Sequence, residues 1–267
     1  ITGNFGTVNA GKGFGIIGSS SIADAGSTLG VGRFSGPDAA DATLGRIGSG
    51  YIYANFNPRV IYTTPDFGGL KIKAGIVNPE KPGGESKKDI ETSTPRFEFQ
   101  GDYHLPLSEH SSIDLWLGGL YQNVSVISAD YSYSFSGYDA GLQFKSSGFT
   151  LRGAFSQTNS IGADGLIGLN ISGGTPLDQA GVDGNQWYAE STYDFGGFLV
   201  GGSYGEGSQD ATITNVGAAQ EVTNELFMAY ARYDVTPHLK FLMEGQTFSS
   251  ESQADYIAVI LGTQITF

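Results

Sequence analysis

The chain has 267 residues, of which 15% are charged, 12% are aromatic and 41 are glycine. Its formal net charge of −13 argues against nucleic-acid binding through a basic patch, and its lack of cysteine excludes thiolate metal sites, a cysteine nucleophile and disulfides. No run of 18 apolar residues is present, so we expect no transmembrane helix, and aromatic residues spread along the whole length are untypical of disorder.

Polar and apolar side chains alternate with a period of two through most of the chain, which predicts an all-β protein. Short turns with Gly, Pro, Asp or Ser join strands into pairs, and longer polar loops lie between the pairs. Segments of about ten residues suit strands that cross a membrane at a tilt. The twelve predicted strands are 4–12, 58–65, 69–77, 94–103, 112–123, 136–145, 149–157, 185–194, 197–205, 224–234, 238–249 and 255–267.

The first strand includes residues 5–12, F-G-T-V-N-A-G-K, and the long segment 13–50 follows it with ten glycines and no regular alternation. So long a structureless loop is uncommon in a compact domain unless it has a function. Residues 13–18 match G-x-G-x-x-G, but no apolar helical pattern follows them. We therefore do not interpret this match as a dinucleotide site.

The strand after this loop reads R-V-I-Y-T-T-P from Arg59 and enters the turn D-F-G-G at 66–69. The same turn recurs at 194–197 between two further strands, which indicates a repeated hairpin. Farther along, the alternation predicts that Phe97, Phe99 and Tyr103 face away from Glu98 and Gln100. By the same pattern, Trp116, Asp139 and Arg152 lie on the polar face.

The last strand ends on the aromatic residue Phe267, and its apolar face carries Ile257, Val259, Leu261 and Ile265. With the two strands around the long loop, this ending resembles the Gram-negative outer-membrane porin family. That family often has F-G-x-V-x-x-G-R before the loop, where this chain has lysine in the last place, and R-x-x-Y-x-S-P-x-F-x-G after it. The resemblance covers nearly the whole chain.

The resemblance implies one antiparallel transmembrane β-barrel domain over residues 1–267, with 13–50 folded inward as a constriction loop. It implies sixteen strands when intact, so that this chain lacks the first four; a complete twelve-stranded barrel is the alternative. Phe267 is then the assembly signal. The implied loop charges of the constriction are Asp24, Arg33, Asp38, Asp41 and Arg46, and the implied charges of the barrel wall are Arg59, Lys71, Lys73, Arg96 and Arg152.

The function implied is passive diffusion of small hydrophilic solutes and ions across the bacterial outer membrane, with no cofactor and no metal. The family also implies a homotrimer in contact with outer-membrane lipid and lipopolysaccharide. Catalysis is not expected, because His104, His110 and His238 lie in or beside predicted short turns without a placed nucleophile. The alternatives are a substrate-specific channel on the same fold and a β-rich surface adhesin or lectin.

Overall fold

The structure is a computed structural model that describes residues 1–25, 46–81, 88–162, 181–210, 221–251 and 254–266. These ranges contain fourteen β-strands and a 3₁₀ turn at Ser21–Ala23. Among the described residues, no helix is both long and apolar enough to cross a membrane. The strands are β1 (Thr2–Gly3), β2 (Gly6–Phe14), β3 (Phe56–Thr63), β4 (Leu70–Val77), β5 (Ile90–Glu91), β6 (Arg96–Ser108), β7 (Ser111–Val126), β8 (Tyr131–Ser146), β9 (Phe149–Asn159), β10 (Gly184–Asp194), β11 (Phe198–Gln209), β12 (Val222–Thr236), β13 (Leu239–Ser250) and β14 (Tyr256–Ile265).

All fourteen strands belong to one antiparallel sheet in which neighbours in sequence are neighbours in space. Only β5 leaves this order, because it pairs with β7 beside β6. Within the described residues, the edge strands β1 and β14 are not paired with each other. The chain therefore forms a continuous antiparallel barrel wall with an open seam between these edges.

The wall curves around the segment that joins β2 to β3. The Ser21 hydroxyl of that segment bonds Asp139 of β8, and its Ala25 amide bonds Glu190 of β10. Arg46 of the same segment reaches the Leu226 carbonyl of β12 at 3.3 Å. One stretch of chain can touch three strands so far apart in the sheet only if the sheet wraps around it.

The two faces of the wall differ sharply in exposure and composition. On β7, outward Leu117 is 57% exposed, whereas its inward neighbour Trp116 is 5% exposed. On β6, outward Phe99 is 54% exposed and inward Gln100 is fully buried. Apolar side chains point out and polar ones point in, as in a barrel whose outer surface meets lipid. These results confirm the predicted faces.

The twelve predicted strands are confirmed as β2 to β4 and β6 to β14, while the two-residue strands β1 and β5 were not predicted. The interval 124–135, expected to be mostly loop, is a correction. Strands β7 and β8 continue to Val126 and from Tyr131, so only four residues join them. The extension is stabilised because Val124 and Phe135 point inward and pack in an apolar cluster, and neither side chain has measurable exposure.

The turns that follow β3, β6, β8, β10 and β12 lie at one end of the barrel, which we call the short-turn end. Two of them are the D-F-G-G turns, which use glycine where the backbone requires it. In the first D-F-G-G turn, Gly68 and Gly69 have φ values of 69° and 96°, and in the second, Gly196 and Gly197 have 87° and 122°. Two consecutive positive φ angles are the requirement of a two-residue hairpin turn whose twist matches the strands. The sequence repeat therefore produces the same local structure twice.

Candidate functional site

The candidate site is the interior of the barrel, which the connection between β2 and β3 partly fills. We call its described parts, residues 15–25 and 46–55, the folded-in segment. The segment packs its Ile17 and Ile52 side chains against Leu120 and Val124 of β7. Burial of these four side chains, each at most 4% exposed, anchors the segment by the hydrophobic effect.

A buried carboxylate holds the start of the segment. Glu98 of β6 accepts hydrogen bonds from the backbone amides of Ile16 at 2.5 Å and Ile17 at 3.2 Å. Its other oxygen accepts from the Arg96 guanidinium at 2.7 Å. Gly15 makes this approach possible, because a Cβ there would lie only 2.8 Å from a Glu98 oxygen. The glycine-rich motif thus binds a carboxylate of the wall.

Arg96 also connects a second inward stretch, residues 78–81 after β4. Its guanidinium lies 3.7 Å from the carboxylate of Glu80, which accepts from the side-chain amides of Asn55 and Asn57. The backbone of Glu80 exchanges two hydrogen bonds with the Gln122 side chain, at 2.9 and 2.6 Å. Arg96 is therefore enclosed by two acids and does not contact the solvent of the lumen.

The middle of the segment is held by Asp139 of β8. Its carboxylate accepts hydrogen bonds from the Ser21 hydroxyl at 2.7 Å, from Ser156 of β9 at 2.9 Å and from the Trp116 indole at 3.0 Å. Arg152 of β9 donates to the Ser20 carbonyl at 2.6 Å and lies over the Trp116 ring. Three strands therefore converge on two serines of the segment.

The last part of the described site is an ion pair inside the barrel. Asp24 and Arg46 are completely buried, and their side chains approach to 3.4 Å. The Arg46 guanidinium bonds the Ser203 hydroxyl and lies 5.7 Å from the centre of the Tyr188 ring. Two further buried carboxylates, Glu190 and Glu244, lie on the surrounding wall. Arg46 compensates part of the negative charge of this region.

At the short-turn end, the inner wall remains open to solvent and carries charges of both signs. Lys73 pairs with Asp102 at 2.9 Å, and the two side chains are 31% and 30% exposed. We call the exposed inward charges at this end the mouth charges. They are Lys71, Lys73, Asp102, His104 and Asp114 on one side, and Asp194, Arg232 and Asp234 on the other.

Comparison with known proteins identifies the family. The family model described as Gram-negative porin matches residues 1–253. The chain belongs to the Gram-negative porins. No curated protein sequence matches it. The family places the protein in the bacterial outer membrane as a β-barrel channel, which confirms the location and fold expected from the sequence.

Solved structures of outer-membrane channels have a similar fold. The channel DcaP of Acinetobacter baumannii superposes with a TM-score of 0.61 at 15% identity, covering 87% of this chain and 68% of its own. The anion-selective porin of Comamonas acidovorans gives 0.60 at 15% identity, covering 99% and 74%. OmpT of Vibrio cholerae gives 0.58 at 13% identity, covering 99% and 77%. At these identities the likeness extends to the fold alone.

In this porin the predicted site residues occupy three kinds of position. Asp24, Arg46 and Arg96 are completely buried, and Arg59 and Arg152 are half-buried. Lys71 and Lys73 are among the mouth charges and pair with Asp66 and Asp102. Arg33, Asp38, Asp41 and Phe267 lie outside the described residues. The structure therefore brings Asp24 and Arg46 together, whereas the predicted wall lysines pair with acids outside the predicted set.

Arg59 lies on β3 directly across from Gly11 of β2. A Cβ at Gly13 would be 2.6 Å from its guanidinium, so the arginine lies flat against the backbone where β2 ends. The glycines of this motif thus serve a wall arginine as well as Glu98. Because Gly13 of β2 has no side chain, the charge of Arg59 can lie close to the folded-in segment.

Site prediction from the sequence missed the acids that hold the segment. Glu98 and Asp139 were assigned to the inward face, but nothing in the alternation marks them as partners of residues 16, 17 and 21. Glu190 and Glu244 belong to the same class, since each is an isolated acid on the polar face of an alternating strand. An acid at such a position predicts only that it points inward.

Proposed function

We propose that this porin is a general-diffusion channel, which lets small hydrophilic solutes and ions cross the outer membrane passively and without a cofactor or covalent step. Folded-in residues narrow the lumen, and the mouth charges face the solutes that pass. The observation that carries the proposal is the composition of the open inner wall, which presents paired lysines, aspartates and His104 to solvent.

Ion preference in such a channel follows from the charges that remain solvated. Asp24, Arg46 and Arg96 lie in buried pairs, so their fields are largely compensated within the protein. The proposed constriction set from the sequence comprises five loop and five wall residues. Four of the wall residues in this set retain partial exposure, and we assign them a larger share in selecting ions than the buried residues have. They are Arg59, Lys71, Lys73 and Arg152.

A substrate-specific channel on the same fold is the second candidate, because the porin family and its fold are common to both kinds of channel. Such a channel needs side chains that a sugar or nucleoside can contact in the open lumen. Here the inward rings of Trp116, Phe135, Tyr188 and Phe248 are at most 5% exposed, since they pack against the segment and its neighbours. This burial favours general diffusion.

Single-channel recording of the purified protein in a planar bilayer tests the proposal. We expect ohmic steps that small sugars and nucleosides do not block, and a zero-current potential in a salt gradient whose sign gives the ion preference. Correctly folded protein that does not conduct would refute the diffusion channel. Saturable block by one class of solute would instead support a substrate-specific channel.

We further propose a homotrimer whose long loops contact lipopolysaccharide. The outward apolar face supports contact with lipid, because Leu117, Phe99 and Met243 are each more than half exposed. Openings in groups of three, together with a trimer mass in mild detergent, are expected. A monomer mass with single openings would contradict the assembly and leave the channel proposal intact.

A further inference from the structure

We propose that Glu98 is the positioning residue of this channel, whose carboxylate fixes the folded-in segment against the wall and so sets the width of the passage. The inference rests on the proposed function, since width is read from conductance. Glu98 lies on β6, far in sequence from the amides it binds: its contacts with Ile16 and Ile17 span 82 and 81 residues. It therefore links the segment to the wall through tertiary structure alone.

Geometry distinguishes Glu98 from the other polar groups on the inner wall. One carboxylate oxygen receives two consecutive backbone amides, and the other receives the Arg96 side chain. Glu98 is 2% exposed and Arg96 is fully buried, so water cannot replace these bonds. A charge-assisted bond shielded from water is stronger than the same bond at the surface.

Loss of this carboxylate has a defined consequence. In Glu98→Ala, two buried amides of the segment lose their acceptor, and Glu80 at 3.7 Å is the acidic partner that Arg96 retains among the described residues. Buried donors without acceptors are strongly unfavourable, so residues 15–18 must move toward water. The apolar contacts of Ile17 and Ile52 keep the rest of the segment inside the barrel. These residues then intrude into the passage, which narrows and fluctuates in width without unfolding of the wall.

The test compares single-channel conductance of wild type, Glu98→Ala and Glu98→Gln in the full chain. The conductance of a water-filled passage follows its narrowest section, so we expect a fall of roughly 1.5-fold or more for Glu98→Ala, with a broader spread of step sizes. Glu98→Gln keeps an acceptor oxygen and falls between the two. Gly15→Ala is an independent way to displace the segment from Glu98, because the added Cβ would lie 2.8 Å from a Glu98 oxygen and 2.9 Å from the Ala54 Cβ.

Asp114→Asn is the matched control for loss of an inward carboxylate. Asp114 bonds His104 and Gln143 and is not bonded to the segment in the described contacts. This control should shift the zero-current potential and should not broaden the spread of step sizes. If it lowers conductance and broadens its spread as much as Glu98→Ala does, the effect is one of charge and the positioning role is wrong.

A reversible disulfide between the folded-in segment and the wall distinguishes a change in the position of the segment from general destabilisation of the barrel. The Ser21 and Ser156 hydroxyls both bond the same oxygen of Asp139, and the chain has no cysteine of its own. In Glu98→Ala with Ser21→Cys and Ser156→Cys, oxidation should restore wild-type conductance and reduction should remove the restoration. Lowered conductance that persists after complete oxidation would overturn the proposal.

The same cysteine pair gives a readout that does not depend on conduction. We expect the disulfide to form several-fold more slowly with Glu98→Ala than with Glu98 present, measured by gel mobility after a timed addition of oxidant. Equal rates would overturn the positioning role even if the wild-type protein does not conduct. A failed channel proposal and a failed positioning proposal are thus distinguishable, and Glu98→Gln serves if Glu98→Ala does not fold.

Discussion

At the scale of single residues, glycine positions in the short turns carry different constraints that the sequence alone does not separate. Gly68 and Gly69 both have positive φ, but a Cβ at Gly68 meets nothing within 4 Å, whereas one at Gly69 would overlap the backbone carbonyl of His104. We expect Gly68→Ala to lower the unfolding free energy by about 1–2 kcal/mol through its backbone angle alone.

Gly69→Ala should cost about 1–3 kcal/mol more, because it adds a forced overlap with the neighbouring strand. Denaturant titration in detergent micelles, followed by the change in gel mobility on unfolding, measures both variants. Equal losses for the two alanines would show that the overlap relaxes freely and that only the φ angle matters.

A second prediction at this scale concerns the pKa of Asp66, which lies in the turn outside the membrane-spanning strands. The Gly69 amide donates to its carboxylate at 2.6 Å, and Lys71 lies 3.4 Å away. The hydrogen bond from the Gly69 amide holds the pKa of Asp66 below its ordinary value, and Lys71 lowers the pKa further. Because the folded pKa is lowered, this group stabilises the turn above its unfolded pKa, and the stabilisation is lost as pH falls through the folded pKa.

Carboxyl NMR of the protein in micelles measures that pKa directly. Asp66 should titrate below the value of about 3.9 typical of a free aspartate. Lys71→Met should raise the midpoint only part of the way, because the larger cause, the Gly69 amide, remains. A midpoint at the ordinary value in the wild-type protein would contradict the hydrogen-bonded turn.

At the scale of the element, the described parts of the folded-in segment are joined by a buried ion pair, Asp24 with Arg46. Removing Arg46 leaves Asp24 beside the buried carboxylates Glu190 and Glu244, whereas removing Asp24 leaves Arg46 with acids still nearby. Loss of one partner of a buried pair costs about 3–5 kcal/mol, so we expect Arg46→Met near the upper end and Asp24→Asn below it.

The double variant should be more stable than Arg46→Met alone, because fewer uncompensated charges stay buried. The temperature at which the folded form loses its characteristic gel mobility ranks the three variants. A wild-type temperature for Arg46→Met would contradict burial of the pair in the assembled protein.

The folded-in segment and strand β7 show how much of the structure could be predicted from the sequence. Strand positions and faces followed from alternation, since a period of two is a local property: Trp116 and Phe99 were assigned to the correct faces from their neighbours. The position of the segment was not predictable, because Glu98 and Ile16 meet across 82 residues and neither carries a local signature of the other. The end of β7 was missed for a related reason, since Val124 is stabilised by Phe135 and by the apolar cluster of the segment.

At the scale of the whole molecule, the barrel has its apolar surface outside and much of its polar surface inside. This inversion is a consequence of alternation combined with lipid as the outer solvent, because a soluble sheet would bury the apolar face instead. The filled interior at the loop end and the open interior at the turn end follow from where the segment packs. Shape and selectivity thus depend on different residues: buried carboxylates such as Glu98 and Asp139 hold the segment, and exposed charges such as Lys71 and Lys73 face the solvent.

The last prediction concerns depth in the bilayer, because the free-energy cost of a charge on the lipid-facing surface rises with its distance from the membrane surface. Leu117 lies in the middle of the long strand β7 and is 57% exposed, whereas Phe195, 65% exposed, lies in a short turn. We expect Leu117→Arg to lower the unfolding free energy by about 2–4 kcal/mol and Phe195→Arg by only about 0–1 kcal/mol. Leu117→Met controls for the change in shape, and denaturant titration in phospholipid vesicles measures all three. Similar small effects at both sites would mean that the exposed face of β7 meets water, and the orientation of the wall in the membrane would then need revision.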